Sequence, residues 1–274
     1  MPFVLVEAGA VADRSDGIKV IDVSDPATPN LVASNNILSF ANDINLSGNY
    51  AYITDYDSLQ VVDITNPTTP NIVGSIDTAS LSNIAVSGNY AYVTSSNVGL
   101  QVINISDPFS PSIIASIDTP GNASNIAISG NYAYVADGES GLQVINISNP
   151  AAPSLVGNYD TPAHANDVTL SGNYAYVTDY TNGLLVLDIS NPTTPLLAGS
   201  IDTMGLARGI AISDSYVYVA DESSLQVIDV SAPANPVIVA IQPTYGVAHS
   251  VTVAGNHIYV GEAGFGLEIF ETYP

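Results

Sequence analysis

The chain has no cysteine and no tryptophan, and among its 274 residues only Arg14, Lys19 and Arg208 are basic. Without cysteine there are no disulfides and no thiolate metal ligands. With three cations there is no basic patch to recognise phosphate, which argues against nucleic acid or an anionic membrane as a partner. Asp and Glu together number 26, so the net charge of -23 reflects missing bases and not an acidic coat. No apolar run approaches the roughly 18 residues of a membrane helix, so membrane insertion is not expected. Helical periodicity is missing as well. Residues Met1 to Ala12 include Glu7 and lack a basic start, and they read as a strand and not as a secretion signal. Low charge with abundant Asn, Ser, Thr and Tyr fits an extracellular or cell-surface protein, as a mature or excised segment.

What the chain does have is one sentence repeated at 41 or 42 residues. The phrase GNYAYV, or a relative of it, begins at Gly48, Gly88, Gly130 and Gly172, and weaker copies begin at Asp214 and Gly255. A second phrase close to GLQVIDISNP ends at Pro26, Pro67, Pro108, Pro150, Pro192 and Pro233, each followed three residues later by another proline. A period of this length marks stacked supersecondary units, none of which buries its own apolar face. Residues 1–274 are therefore read as a single domain.

Within one unit, Ala165 to Ser171 alternates and meets Gly172-Asn173, a two-residue loop whose glycine can take positive φ, so a tight hairpin follows. Tyr174 to Thr178 forms the second strand and Leu184 to Ile189 the third. The Pro192 to Pro195 segment breaks the ladder, and Leu196 to Ile201 is the fourth strand. The middle strands are apolar on both faces, as expected where sheets stack on sheets. Four short antiparallel strands per repeat describe the blade of an all-β propeller.

The runs GLQVINIS (Gly141 to Ser148), LQVVDIT (Leu59 to Thr65) and LQVIDVS (Leu225 to Ser231), each after AYV-like text and before a proline pair, resemble the LVIVD repeat. That resemblance covers almost the whole chain. It implies a propeller of bacterial and archaeal surface or secreted proteins, and it brings no catalytic motif to transfer.

Taking Phe3 to Val6 as a second strand and Leu267 to Glu271 as a third gives 26 strands. Seven four-stranded blades are then favoured, with the first lacking its inner strand and the last its outer one. Six blades plus a spare hairpin are the alternative. Either count leaves an unmatched edge or apolar face near Phe3 to Val6 or Leu267 to Phe270, which predicts self-association through the ends.

The turns of one rim barely vary between repeats, whereas the opposite rim varies and is where a specific site is expected. On that rim Asp55, Asp137, Asp179, Asp221 and Glu262 occupy equivalent positions, with Asp57, Glu139 and Glu222 close behind. Such oxygen-rich loops can hold Ca²⁺, although the Asp-x-Asp-x-Asp-Gly spacing is absent and Asp also forms turns for local reasons. The start of each first strand should face the central channel, presenting Asn42, Asp43, Asn83, Asn125, Asn166, Asp167, Arg208 and His249. A ring of amides suits a polar ligand or ordered water, and His164 joins His249, Asp167 and Arg208 as a conceivable catalytic or metal constellation. The residue closing each third strand is Asp22, Asp63, Asp188 or Asp229, but Asn104 or Asn146 elsewhere, so it reads as a turn cap in which charge is dispensable.

Three functions compete. The leading one is a noncatalytic surface scaffold that binds protein or glycan, or assembles with copies of itself, into filaments where a head-to-tail contact does not close. An enzymatic or small-molecule site at the channel mouth is the second, and a calcium-stabilised module of a longer surface protein is the third.

Overall fold

The computed structural model describes residues 3–5, 10–13, 17–35, 41–78 and 80–272. Every regular element among them is a β-strand, and neighbouring strands pair antiparallel. The first sheet runs β1 (Phe3–Leu5), β2 (Ala10–Asp13), β3 (Gly17–Asp22), β4 (Asn30–Asn35). The second holds β5 (Ala41–Ser47), β6 (Tyr50–Asp55), β7 (Ser58–Asp63) and β8 (Asn71–Asp77), and the third β9 (Leu81–Ser87), β10 (Tyr90–Ser95), β11 (Gly99–Asn104) and β12 (Ser112–Ile117). The fourth holds β13 (Asn125–Ser129), β14 (Tyr132–Ala136), β15 (Leu142–Asn146) and β16 (Ser154–Tyr159), and the fifth β17 (Asp167–Ser171), β18 (Tyr174–Thr178), β19 (Leu184–Asp188) and β20 (Leu196–Ile201). The last sheet has five strands: β21 (Ala207–Ser213), β22 (Tyr216–Asp229), β23 (Val237–Ala254), β24 (His257–Ala263) and β25 (Gly266–Glu271).

The hairpin signal acts as the sequence predicts. Ser171 pairs with Tyr174 across Gly172-Asn173, and Gly172 has φ +56° with nothing near the place a Cβ would take. The caps are equally local: Ser24, Thr65, Ser106, Ser148, Ser190 and Ser231 each donate the peptide N–H to the Asp or Asn two residues earlier. Asn104 and Asn146 do this as well as Asp188, which confirms that the acceptor and not the charge is required.

The core lies between sheets. Tyr134, Leu142 and Val144 of the fourth sheet pack against Val168, Ala175, Val177 and Leu187 of the fifth, and Tyr176, Leu184 and Val186 pack in turn on Ile210, Val217 and Val219. Each large side chain so buried contributes about 1.5–3 kcal/mol, and no sheet could bury its faces alone. Tyr259 of β24 packs against Ile21 of β3 and Val23 just after it, so the last sheet meets the first. β1 also contacts β23 and β24.

Two expectations need correction. Phe3 to Leu5 is the first strand of its sheet and not the second; Ala10–Asp13 takes the second place, so the inner strand is present. The blade count differs too: the described residues form five four-stranded blades and one five-stranded sheet, and neither seven separate blades nor six with a spare hairpin. The cause is continuity: β22 runs through the loop after Asp221 without a break, and β23 runs from the proline pair straight into the next channel strand, so the last two copies of the repeat share one sheet. At the other end Leu267, Ile269 and Phe270 are only partly buried, and β25 is an edge strand that pairs with β24 alone among the described residues. The side chains of residues 3–6 lie outside the described residues.

Candidate functional site at the channel mouth

The first strands of successive sheets begin at the same register, and each is tied to the next sheet there. Thr54 Oγ1 accepts the Asp43 N–H at 3.0 Å and donates to the Ser82 carbonyl at 3.3 Å. Thr94 and Thr178 repeat this, reaching the carbonyls of Ser124 and Arg208. Where Ala136 replaces the threonine, the Ser124 hydroxyl supplies the link through the carbonyls of Ala136, Ala165 and Asn166. The second-to-third-strand loops pair with the next sheet as well, Gly138 with Ala165 and Tyr180 with Ala207.

These links frame a cavity of about 400 Å³ whose wall includes Asn42, Asn83, Asn125, Asn166, Asp167, Arg208 and His249. Seven of the nine residues expected to bind ligand thus surround one space. Tyr56, Ser80, Leu81, Ser82, Ser96 and Ser124 complete the wall, and nothing in their sequence pattern singled them out. Asp43 lies behind it, 8% exposed. His164 packs edge-on to Tyr180, with ring centroids 6.4 Å apart.

The polar groups divide into those spent on the scaffold and those left over. Asn42 Nδ2 donates to the Leu81 carbonyl at 2.7 Å and Asn166 Nδ2 to that of Ala207 at 3.0 Å, so both amides serve as struts. Asp43 Oδ2 accepts the Ile84 N–H at 3.0 Å; Asp167 accepts those of Val168 and Ile210 at 2.7 and 3.0 Å. Burial pushes both carboxyls up to about 7, outweighing these bonds, and for Asp167 the neighbouring Asp43 charge adds to the rise. Arg208 differs. Its guanidinium lies 5.6 Å from the centre of the Tyr180 ring, and Nε is buried with no hydrogen-bond partner among the described residues. Tyr180 is held at φ +44°, a left-handed backbone that aromatic residues seldom adopt.

The rim carboxylates considered for calcium do not converge. Asp137 accepts from Thr119 Oγ1 at 2.6 Å and the Gly121 N–H at 2.8 Å, Asp179 from Ala163 and Asn182, Asp221 from Thr203 and Gln226, and Glu262 from Gly246. Each holds the loop that enters its own sheet. Asp55 is buried at the equivalent position. Burial raises Asp137 and Asp221, and in the last repeat burial and then Glu262 push Glu268 up to about 7. No group of three or more His, Asp or Glu side chains comes together among the described residues.

Solved structures show the same fold. A Lactobacillus plantarum protein aligns with a TM-score of 0.82 at 15% identity, over 98% of this chain and 90% of that one. The periplasmic gluconolactonase of Pseudomonas aeruginosa aligns at 0.81 with 14% identity, over 96% and 90%. The Swd1 β-propeller domain of Myceliophteria thermophila aligns at 0.78 with 11% identity, over 99% and 95%. At such identities the likeness is one of architecture. No curated protein matches the chain. The LVIVD repeat model matches seven consecutive segments, residues 10–36, 40–78, 80–119, 120–161, 162–203, 204–244 and 245–270, and the chain accordingly belongs to the LVIVD repeat family.

Proposed function

We propose that the protein is a noncatalytic binding propeller acting outside the cell or at its surface, and that the channel-mouth cavity takes a polar, glycan-like ligand. The observation that carries this reading is the convergence of side chains from successive repeats on one space of about 400 Å³, a volume suited to a sugar-sized ligand. The rigid inter-sheet links pre-organise its wall, which lowers the ordering cost of binding. Asn83 and Asn125 have no side-chain hydrogen bond within the protein among the described residues, so their amides are available to hydroxyl groups. Titration of the intact chain with mono- and oligosaccharides by calorimetry tests this. Binding abolished by Asn83→Ala with the melting temperature unchanged is expected; sugars that bind equally well to that variant would place their site elsewhere.

A hydrolytic reading is less well supported. The gluconolactonase shares the architecture only, and here the Asp43 and Asp167 carboxylates are engaged with backbone N–H groups. Turnover of gluconolactone by this chain would reverse the preference. Self-assembly has its own observation: Leu196 and Leu197 on β20 and Val237 and Ile241 on β23 are 65, 47, 54 and 53% exposed on the outer flank. Light scattering that shows a strict monomer at high concentration would remove it.

A further inference from the structure

The unspent groups of the cavity point to more than a neutral ligand. Arg208 is one of three cations in a chain of net charge -23, and no ion pair joins it to a described carboxylate. Burying a guanidinium Nε without a hydrogen-bond partner costs free energy, and the residue itself lines the cavity. The side chain is also held in place. Its carbonyl accepts the Thr178 hydroxyl at 2.7 Å, its plane lies by Tyr180, and Tyr180 is pinned by the Ala207 N–H donating to its carbonyl at 2.9 Å.

Asp167 shares the wall and would oppose an anion if its oxygens faced the cavity unpaired. Both of those oxygens already accept backbone N–H groups, whereas Arg208 Nε donates to no group among the described residues. The Asn83 amide, 8% exposed, lies on the same wall. An arginine fork recognises a carboxylate through paired N–H donors, and amides suit hydroxyls.

We propose that the channel-mouth cavity binds a sugar acid, its carboxylate seated on Arg208 and its hydroxyl groups on the Asn83 and Asn125 amides. The inference rests on the ligand-site reading above and adds the charge of the ligand and its anchor. Both a free sugar acid and a uronate within a polysaccharide carry this chemistry.

The test is calorimetric titration of the intact chain with D-glucuronate, D-glucose, acetate and a galacturonate oligomer, repeated with Arg208→Gln and Arg208→Lys. Glucuronate should bind at least about tenfold more tightly than glucose, a difference in keeping with a charge-assisted hydrogen bond. Arg208→Gln should erase that difference and leave glucose unchanged, and Arg208→Lys should retain part of it because the charge stays and the fork is lost. Tighter binding of the oligomer than of glucuronate identifies a polysaccharide source; equal binding identifies a free acid. If glucose binds as well as glucuronate and Arg208→Gln changes neither, the sugar-acid proposal falls while the ligand-site reading stands. If acetate matches glucuronate, the cavity takes a simple anion only and the proposal falls. If no probe binds up to about 50 mM, far weaker than any specific site, both readings fall. Should Arg208→Gln fail to fold, full retention of glucuronate binding by Arg208→Lys overturns the paired-donor geometry.

Discussion

Asp43→Asn is expected to stabilise the protein at pH 8 and to leave it unchanged at pH 4. Asp43 is 8% exposed on β5, and its Oδ2 accepts the Ile84 N–H from the next sheet. Desolvation raises its carboxyl from 3.8 to about 7, with the bonds from Ile84 and Ile44 pulling the other way and losing. In the unfolded chain the group titrates near 3.8. Between these values the folded state holds a proton that the unfolded state has released, so stability falls as pH rises through this window and is level above it. At about 1.4 kcal/mol per pH unit, the full window from 3.8 to about 7 costs roughly 4 kcal/mol.

The chain itself provides the replacement. At the same register, next to the same threonine, the third sheet carries Asn83, whose N–H donates to Thr94 Oγ1 at 3.0 Å just as that of Asp43 does to Thr54. An amide keeps an oxygen for Ile84 and removes the charge. Urea unfolding of parent and variant from pH 4 to pH 8, at constant m, is the assay. A gain of roughly 2–4 kcal/mol at pH 8 that vanishes at pH 4 is expected. A variant less stable than the parent at pH 8 would mean that the ionised carboxylate is favourable where it sits, and the desolvation argument would be wrong.

Thr54→Val should cost about 1–3 kcal/mol in the same assay, because it leaves the buried Asp43 N–H unpaired and removes a link to Ser82. Gly172→Ala and Gly183→Ala separate strain from collision: both have positive φ, +56° and +71°, but only at Gly183 would a Cβ strike backbone, the Ile201 oxygen and the Thr203 nitrogen. The first should lose about 1–2 kcal/mol and the second about 1–3 kcal/mol more, and equal losses would refute the distinction. Melting curves in Ca²⁺ and in chelator should superimpose, since each rim carboxylate is committed to its own loop; a shift of several degrees would show that a cation recruits them.

Features decided within a hairpin were legible in the sequence, because glycine at positive φ, proline in a ladder and an acceptor two residues before an N–H act locally. The first strand was misplaced since Phe3 to Val6 imitates the alternation of a second strand, while Ala10–Asp13 lacks the tyrosines that mark one. The fused strands β22 and β23 were missed because nothing in their text departs strongly from the repeat, and continuity there is set by pairing with neighbours.

The hydrogen bonds between sheets were missed, unlike their apolar stacking, though the period held the clue. Ile84 donates to Asp43 across 41 residues and Ser124 to Asn166 across 42, so a residue one repeat ahead is the default neighbour along the channel. Applied to the whole ring, that rule places Arg208 where its neighbours carry Asn166, Ser124, Ser82 and Asn42. It does not place Tyr180, because the residue after each rim carboxylate changes from repeat to repeat: Tyr56, Gly138, Tyr180, Glu222 and Ala263. The aromatic at Tyr180 lies against Arg208, so the channel gains a positive point through residues of two adjacent repeats. A scaffold of near-identical units acquires a directional site in this way, since the shared links fix the wall and a few substitutions set its charge.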